Sequence, residues 1–279
     1  MYTQQMIENP IAFVTGTYRY PIAGMAGEEC PDGIQARKHS IVGDRVLGLV
    51  RKSRDKNGDE FLQVIHTKDR RDLLKYQPRF VDPSNPRESR IVVLSPHGRE
   101  YYAGEEGLRL ELSSVCQADI RLLKLGKNLN YSGAFAAISH SSIEATTVAT
   151  NAVIAEEEDN DRPEIEQPLD QSRFRMNATF EYDTLPQGDA LNKETELVGH
   201  QLRFGKDGAV ITVWEEAERC AAINYAVRNG RVTSVPQILK AFPLGVKPQL
   251  GFYAGIDENG LVRPGDAIYA TKENPNTTN

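Results

Sequence analysis

The chain has 279 residues, of which 39% are hydrophobic and 26% charged, with a formal net charge of −6. These values fit one large or two modest globular domains and exclude a disordered chain. No apolar run approaches the roughly 20 residues that span a bilayer, and the N-terminus lacks a basic region followed by an apolar stretch, so the expectation is a cytoplasmic protein with no membrane partner.

Ile11 to Tyr20 is β-branched and aromatic and stops at Pro21, which predicts a strand. Val46–Val50 and Phe61–Ile65 flank Asp55-Lys-Asn-Gly58, the pattern of two strands joined by a turn. Arg90–Leu94 and Leu108–Leu112 continue the strand pattern; the second alternates, which predicts one wet face. Ser141–Val153 reads as a helix, although its threonines weaken helical propensity. Phe174–Tyr182, Gln201–Phe204 and Val210–Trp214 read as strands. Thr233–Phe242 reads as a short helix with Ser234 as its cap and Pro236 in its first turn. Gly251–Ile256 and Leu261–Tyr269 flank Asp257-Glu-Asn-Gly260, a second hairpin signal. Many short strands punctuated by Gly and Pro predict a mainly β (α+β) fold, a two-part β-barrel architecture with a few short helices.

Charge is unevenly placed. Residues Glu156 to Asp170 hold eight acids and one base, together with Pro163 and Pro168. That stretch reads as a solvated loop or insertion, with a docking patch for a basic partner as the functional alternative. Gln35 to Arg79 holds twelve bases against six acids, which suits either a mixed-charge surface or a face for an anionic ligand. No dense basic stripe interleaved with aromatics occurs, so nucleic acid is not an expected partner.

Cys30, Cys116 and Cys220 are the three cysteines. Their odd number and wide spacing argue against a disulfide framework and exclude a four-cysteine iron–sulfur cluster built by this chain. The five histidines are scattered, so no zinc spacing can be read. His140 is either a structural histidine or, by its intrinsic pKa, a proton shuttle. Cys220 follows a strand-like stretch directly and has Arg219 beside it. A thiol there is either a small buried hydrophobe or a nucleophile, sulfur carrier or soft-metal ligand. Arg45, Arg175 and Asn177 taken by residue type alone are ordinary surface polar groups.

Several segments together resemble the MOSC family, named for the C-terminal domain of molybdenum cofactor sulfurase. Tyr18-Arg-Tyr-Pro-Ile-Ala-Gly-Met25 resembles the Tyr-Pro-Val-Lys-Ser stretch of the family's N-terminal β-barrel domain. Val42-Gly-Asp-Arg-Val46 resembles its Gly-Asp-Arg turn, and Arg173-Phe-Arg-Met-Asn177 its Arg-Phe-Arg-Pro-Asn. Glu218-Arg-Cys220 resembles its Arg-Cys, while Gly251-Phe-Tyr253 and Val262-Arg-Pro-Gly-Asp266 resemble its closing strands. The resemblance implies an N-terminal β-barrel-like domain over 8–115 and a MOSC domain over 116–272, the latter carrying the acidic insertion at about 156–170.

It further implies a pterin-based molybdenum cofactor. Cys220 would be the catalytic residue and the protein ligand to molybdenum, as a soft thiolate suits that metal. Arg45, Arg175 and Asn177 would hold the phosphate and the pterin. Ser132 and the backbone of Gly133 would place small groups against the cofactor, the alternative being a turn that needs glycine. The implied activity is that of an oxidoreductase acting on a small-molecule substrate, by analogy an N-hydroxylated compound. Its electrons would come from a separate donor protein, a reductase or a ferredoxin-like carrier. The alternatives are persulfide sulfur transfer from Cys220 and a non-catalytic binding protein of the same fold. The sequence departs from the family pattern at several places. Ala23 and Gly24 replace lysine and serine, Met176 replaces proline and Asn224 an aspartate. Glu218 stands where a reductase relative has serine, and an inward carboxylate there would repel an anionic cofactor.

Overall fold

The computed structural model describes residues 9–125, 133–157, 167–184, 191–245 and 247–272. Its first half contains β1 (Ala12–Arg19), β2 (Ile22–Ala23), β3 (Glu28–Glu29), β4 (Ile34–Arg37), β5 (Ser40–Ile41), β6 (Leu47–Arg54) and β7 (Glu60–Val64). Then come β8 (Gln77–Phe80), β9 (Ile91–Leu94), β10 (Glu100–Tyr102), helix α1 (Glu106–Cys116) and β11 (Ile120–Lys124). The second half contains β12 (Phe135–Ser139), α2 (His140–Glu156), β13 (Ala178–Tyr182), β14 (His200–Phe204) and β15 (Val210–Glu218). It ends with β16 (Tyr225–Arg228), β17 (Arg231–Ser234), α3 (Gln237–Lys240), β18 (Gln249–Glu258), β19 (Gly260–Val262) and β20 (Ala267–Lys272).

Seven strands close into a barrel in the order β13-β12-β18-β15-β14-β20-β1, because β1 pairs with both β20 and β13. Closure removes the exposed edges that an open sheet would carry. The β12–β13 pair is parallel, and α2 lies in the long crossover such a pair requires. Phe135, Phe180, Phe204 and Phe252 fill the interior with Val14, Leu202, Ile211 and Ile268. The Phe135 and Phe204 rings lie 5.6 Å apart. Each such ring stabilises the fold by about 2–3 kcal/mol through burial.

A second lobe forms around β6, which pairs with β11, β7 and β2, and around the β10-β9-β8 sheet. Its core includes Ile22, Leu49, Tyr76, Val93, Leu108 and Ile120. The two-part, β-rich architecture is as expected. The cores divide the chain differently from the expected boundaries, however. Ala12, Val14, Ile34 and Ile41 belong to the barrel core, and the second core extends past residue 115 to Ile120.

Four local expectations need correction. Leu108–Leu112 is helical: Leu108, Leu112 and Cys116 are buried at four-residue spacing while Leu110 is exposed, so the helical period outweighs the alternation. Residues 174–177 are not strand, because Arg175 has φ 53°, outside the β region. Ser234 does not cap α3; it ends β17, and Pro236 occupies the N-cap position. The residues around Asp257–Gly260 do not form a hairpin, because β19 pairs with β4 rather than β18. There Gly260 packs so closely that a Cβ would lie 2.3 Å from the Ala209 nitrogen.

The expected helix over 141–153 is α2. Thr146, Thr147 and Thr150 donate their hydroxyls to carbonyls four residues back, at 2.7–2.8 Å, which satisfies them inside the helix. Most of the acidic stretch, 158–166, lies outside the described residues. No helix among the described residues is long and apolar enough to cross a membrane.

Candidate functional site

β15 continues past the predicted Trp214 to Glu218 and delivers Arg219 and Cys220 at its end. The Arg219 amide donates to the Pro248 carbonyl at 2.7 Å, and Ile223 N donates to the Cys220 carbonyl at 3.1 Å, closing a tight turn over Ala221–Asn224. These bonds hold the Cys220 thiol exposed, while Cys30 and Cys116 are buried. Burial pushes the Cys30 thiol up to about 12 and raises that of Cys116, which keeps both protonated and inert.

Cys220 faces a cleft of about 390 Å³ at the seam between barrel and second lobe. Arg45, Gly133, Arg175 and Asn177 line the same cleft. The structure thus gathers five of the six residues singled out from the sequence, drawn from positions 45 to 220. Ser132 lies outside the described residues.

The Gly-Asp-Arg turn positions Arg45. Gly43 has φ 84°, and a Cβ there would meet Pro86 at 2.9 Å and Arg19 at 3.0 Å. Asp44 accepts from the Tyr20 amide at 2.8 Å and pairs with the Arg45 guanidinium. Arg45 itself has φ 47° and donates from Nη2 to the Arg175 carbonyl at 3.3 Å. Arg175 donates from Nη1 to the Met25 carbonyl at 2.7 Å. Both guanidiniums lie on the Tyr20 ring, at 5.2 Å for Arg45 and 4.6 Å for Arg175, as cation–π contacts. Burial raises the Tyr20 phenol well above its ordinary range, so it stays neutral and donates to the Met176 carbonyl at 3.2 Å. Left-handed backbone at a non-glycine residue costs of order 1–3 kcal/mol, and such strain collects at functional sites. Two of the described non-glycine residues with positive φ, Arg45 and Arg175, stand on this wall.

Asn177 has a different use from the one its type suggests. Its Oδ1 accepts from Ala136 N at 3.2 Å and its Nδ2 reaches the Tyr18 carbonyl at 3.5 Å, so the amide ties β12 to β1. Gly133 is glycine for contact rather than for dihedral freedom: a Cβ would sit 2.9 Å from that of Tyr253 and 3.0 Å from Ala254 N.

Sequence reasoning named Arg219 only as a neighbour of Cys220 favouring an anionic sulfur, and it missed Lys68, His66, Thr67 and Tyr253. The excess of bases between Gln35 and Arg79 was the available signal for the 66–68 segment. Arg219 is buried and donates to Ala217 O at 3.1 Å, Phe174 O at 2.9 Å and Met176 Sδ at 3.5 Å. No carboxylate among the described residues pairs with it, and burial holds its pKa below the ordinary arginine value. Burial also lowers His66. Arg173, the first arginine of Arg-Phe-Arg, donates to Asn224 O at 2.9 Å and to Thr233 Oγ1 at 3.1 Å, which braces the loop after Cys220.

Two of the departures from the family pattern have a local structural account. Gly24 has φ 90°, a conformation that a serine adopts only with strain. Glu218 sits at the mouth, where Lys247 Nζ donates to its carboxylate at 3.0 Å. His140 shares a 2.8 Å hydrogen bond with Thr15 Oγ1 and is not part of the cleft wall.

Among the described residues the lining carries five cationic side chains, Arg45, Lys68, Arg173, Arg175 and Arg219, and one carboxylate, Glu218, with Asp44 paired to Arg45 behind the wall. In a chain of net charge −6 this is a local reversal of sign, which attracts an anion. No group of three or more His, Cys, Asp or Glu among the described residues could hold a metal ion. A metal bound at Cys220 must bring its remaining ligands with it. A metal already chelated by an anionic organic cofactor meets that condition, so the residues present fit such a group.

No curated protein matches the chain. The YUAD protein from Bacillus subtilis, a solved structure, is similar at 12% identity and a TM-score of 0.45, covering 98% of this chain and 100% of that one. The MOSC domain family matches residues 130–269, half of the chain, a span that contains Gly133, Arg175, Asn177 and Cys220. The chain is thus a member of the MOSC domain family, whose domain occurs in molybdenum cofactor-binding proteins.

Proposed function

We propose that the cleft binds the molybdenum cofactor and that the protein is an oxidoreductase, reducing N-hydroxylated small molecules with electrons from a separate protein. The observation that carries this reading is an exposed thiol on a wall that, among the described residues, has five cationic side chains and one acid. When bound, the cofactor supplies a metal that exchanges two electrons and accepts an oxygen atom.

The chain's own residues do the rest. Cys220 anchors the metal through sulfur. Arg45 and Arg175, held side by side on Tyr20, offset phosphate charge and keep their geometry because Asp44 and the Met25 carbonyl fix them. Arg219, buried beside Cys220, would add positive charge for a bound anion from a dry position, where the interaction is least screened. Asn177 sets the distance between β1 and β12 and so the depth of the cleft. Lys68 and His66 line the cleft from the other lobe, where they would be available to a bound substrate. With its three cysteines far apart, the chain takes electrons from a donor protein, and the acidic segment around 156–170 is the proposed docking surface. Deleting that segment is expected to slow electron transfer from the donor without changing cofactor content.

Metal analysis of the purified protein beside Cys220→Ala tests the reading. Molybdenum and pterin are expected in the parent and molybdenum is expected to fall sharply in the variant; equal molybdenum in both would show that Cys220 is not the anchor. Exposure of the same thiol also favours a second reading, persulfide sulfur transfer. Cyanide-labile sulfur that disappears in Cys220→Ala, with no molybdenum in the parent, would select it.

A further inference from the structure

The cations described in the cleft lining are held in two different ways. Arg173 and Arg219 are buried and Arg45 and Arg175 half-buried, whereas Lys68 is exposed. Each arginine is fixed by the protein itself. Arg45 pairs with Asp44, and Arg175, Arg173 and Arg219 donate to the carbonyls of Met25, Asn224 and Phe174. The Lys68 ammonium has neither a hydrogen bond nor an ion pair among the described residues.

The backbone beneath Lys68 is nonetheless fixed. Ile65 N donates to the Leu49 carbonyl at 2.8 Å, and the buried Thr67 donates from Oγ1 to the Gly24 carbonyl at 3.1 Å. Asp69 N donates to the His66 carbonyl at 2.9 Å, and the Asp69 carboxylate accepts from the His66 amide at 3.3 Å. The carboxylate nearest to Lys68 in sequence is therefore engaged by its own turn. This packing places Lys68 on the second lobe's side of the cleft with Ala23 and Gly24, while Cys220 follows the barrel strand β15.

A braced guanidinium offers a fixed fork, which suits a group bound in one geometry and kept there. A free ammonium on a flexible stem is a mobile point charge, which suits an anion that arrives and leaves. On the reading of the cleft given above, on which this inference rests, the arginines serve the cofactor. We propose that Lys68 serves the substrate. It is a specificity-determining residue, and it selects among N-hydroxylated compounds those that carry a carboxylate or phosphate. It draws such anions to the cleft and pairs with their oxyanion.

The experiment has two arms, both on the full chain. In cofactor-free protein Cys220 is the exposed cysteine, with Cys30 and Cys116 buried, so its alkylation reads the cleft. Iodoacetate is an anion and iodoacetamide its neutral counterpart. The ratio of their rates at Cys220 is expected to fall about threefold in Lys68→Met, the size of an exposed charge pair, and to be kept in Lys68→Arg. The difference between parent and Lys68→Met should shrink in high salt. Lys56→Met, on the turn between β6 and β7 and outside the cleft lining, controls for net charge.

In cofactor-loaded protein, reduced viologen supplies the electrons, and phenylhydroxylamine and its 4-carboxylate are the probes. Reduction of either consumes two electrons and two protons and releases the amine and water. In Lys68→Met, KM for the carboxylate is expected to rise about threefold. Its kcat, the KM of the neutral probe, and pterin and molybdenum content should match the parent. An unchanged alkylation ratio, an unchanged KM for the carboxylate, or an equal fall in Lys56→Met overturns the proposal alone. Loss of pterin in Lys68→Met also overturns it, because Lys68 would then belong to the cofactor. A parent without pterin, or one that reduces neither probe, overturns the reading of the cleft and the proposal together.

Discussion

Inside the barrel, Phe135 stands 5.6 Å from Phe204 and the space between strands is filled by rings and aliphatic side chains. Along the seam, Arg45 and Arg175 ride on left-handed backbone and Arg219 is buried with no carboxylate paired to it among the described residues. The barrel gains stability from removing hydrocarbon from water, which any well-packed interior supplies. The seam spends part of that stability holding like charges near one another, and an anion bound there, as proposed, would recover it. The contrast sets residues that pack the fold against residues proposed to meet a ligand.

The sharpest break of this contrast is Phe252→Ala. It empties the barrel centre and is expected to destabilise the fold by about 3–5 kcal/mol in denaturant titration. A smaller effect would mean that the barrel interior is not the principal source of stability. Gly133→Ala tests the boundary between the two regions. Its Cβ meets Tyr253 at 2.9 Å and the Ala254 backbone at 3.0 Å, so a loss of about 1–3 kcal/mol is expected, together with a displaced cleft wall and weaker cofactor retention.

Arg219→Met sharpens the comparison from the seam side. Relief of a buried, unpaired charge offsets the lost bonds to the Ala217 and Phe174 carbonyls, so the cofactor-free protein should stay within about 1 kcal/mol of the parent. Cofactor retention should fall, as read by pterin content after gel filtration. A large loss of stability without ligand would make Arg219 a folding residue.

The smallest effect concerns Glu194, fully buried beneath the start of α2, where its carboxylate accepts from Ser142 Oγ at 2.7 Å and from the Ser139 amide. Burial raises its folded pKa above the ordinary value of 4.5, so the folded state binds the proton more tightly than the unfolded state. Stability contributed by the protonated group is therefore present below the unfolded pKa and lost as pH rises through the folded one. Unfolding titrations across that window should show this slope in the parent and not in Glu194→Gln.

Much of the local structure was legible because it depends on near neighbours. The turn at Asp55–Gly58 joins β6 to β7 as its residues predict, and α2 follows the expected helix. Leu108–Leu112 was misread because a leucine at every second position also places leucines four apart, and only the packing of α1 on the lobe core chooses between the two periods. The Asp257–Gly260 turn was misread because β4, far away in sequence, captures β19. Cys220 could be singled out because it follows a strand. That its thiol is exposed while Arg219 next to it is buried was not legible, since this depends on how β15 meets Pro248 and Phe174.

By itself the sequence determined that the chain is rich in short strands, that its cysteines cannot form a cluster, and that its arginine and cysteine motifs follow the MOSC pattern. The first two follow from composition and local periodicity, the third from the resemblance of its motifs to the family's. Tertiary structure alone decided that Arg45 and Arg175 share the Tyr20 ring, that Glu218 turns to Lys247, and that Arg45, Gly133, Arg175 and Cys220 line one cleft. The first and last of these bring together positions more than a hundred residues apart through closure of the barrel at β1, and local propensity carries no information about that.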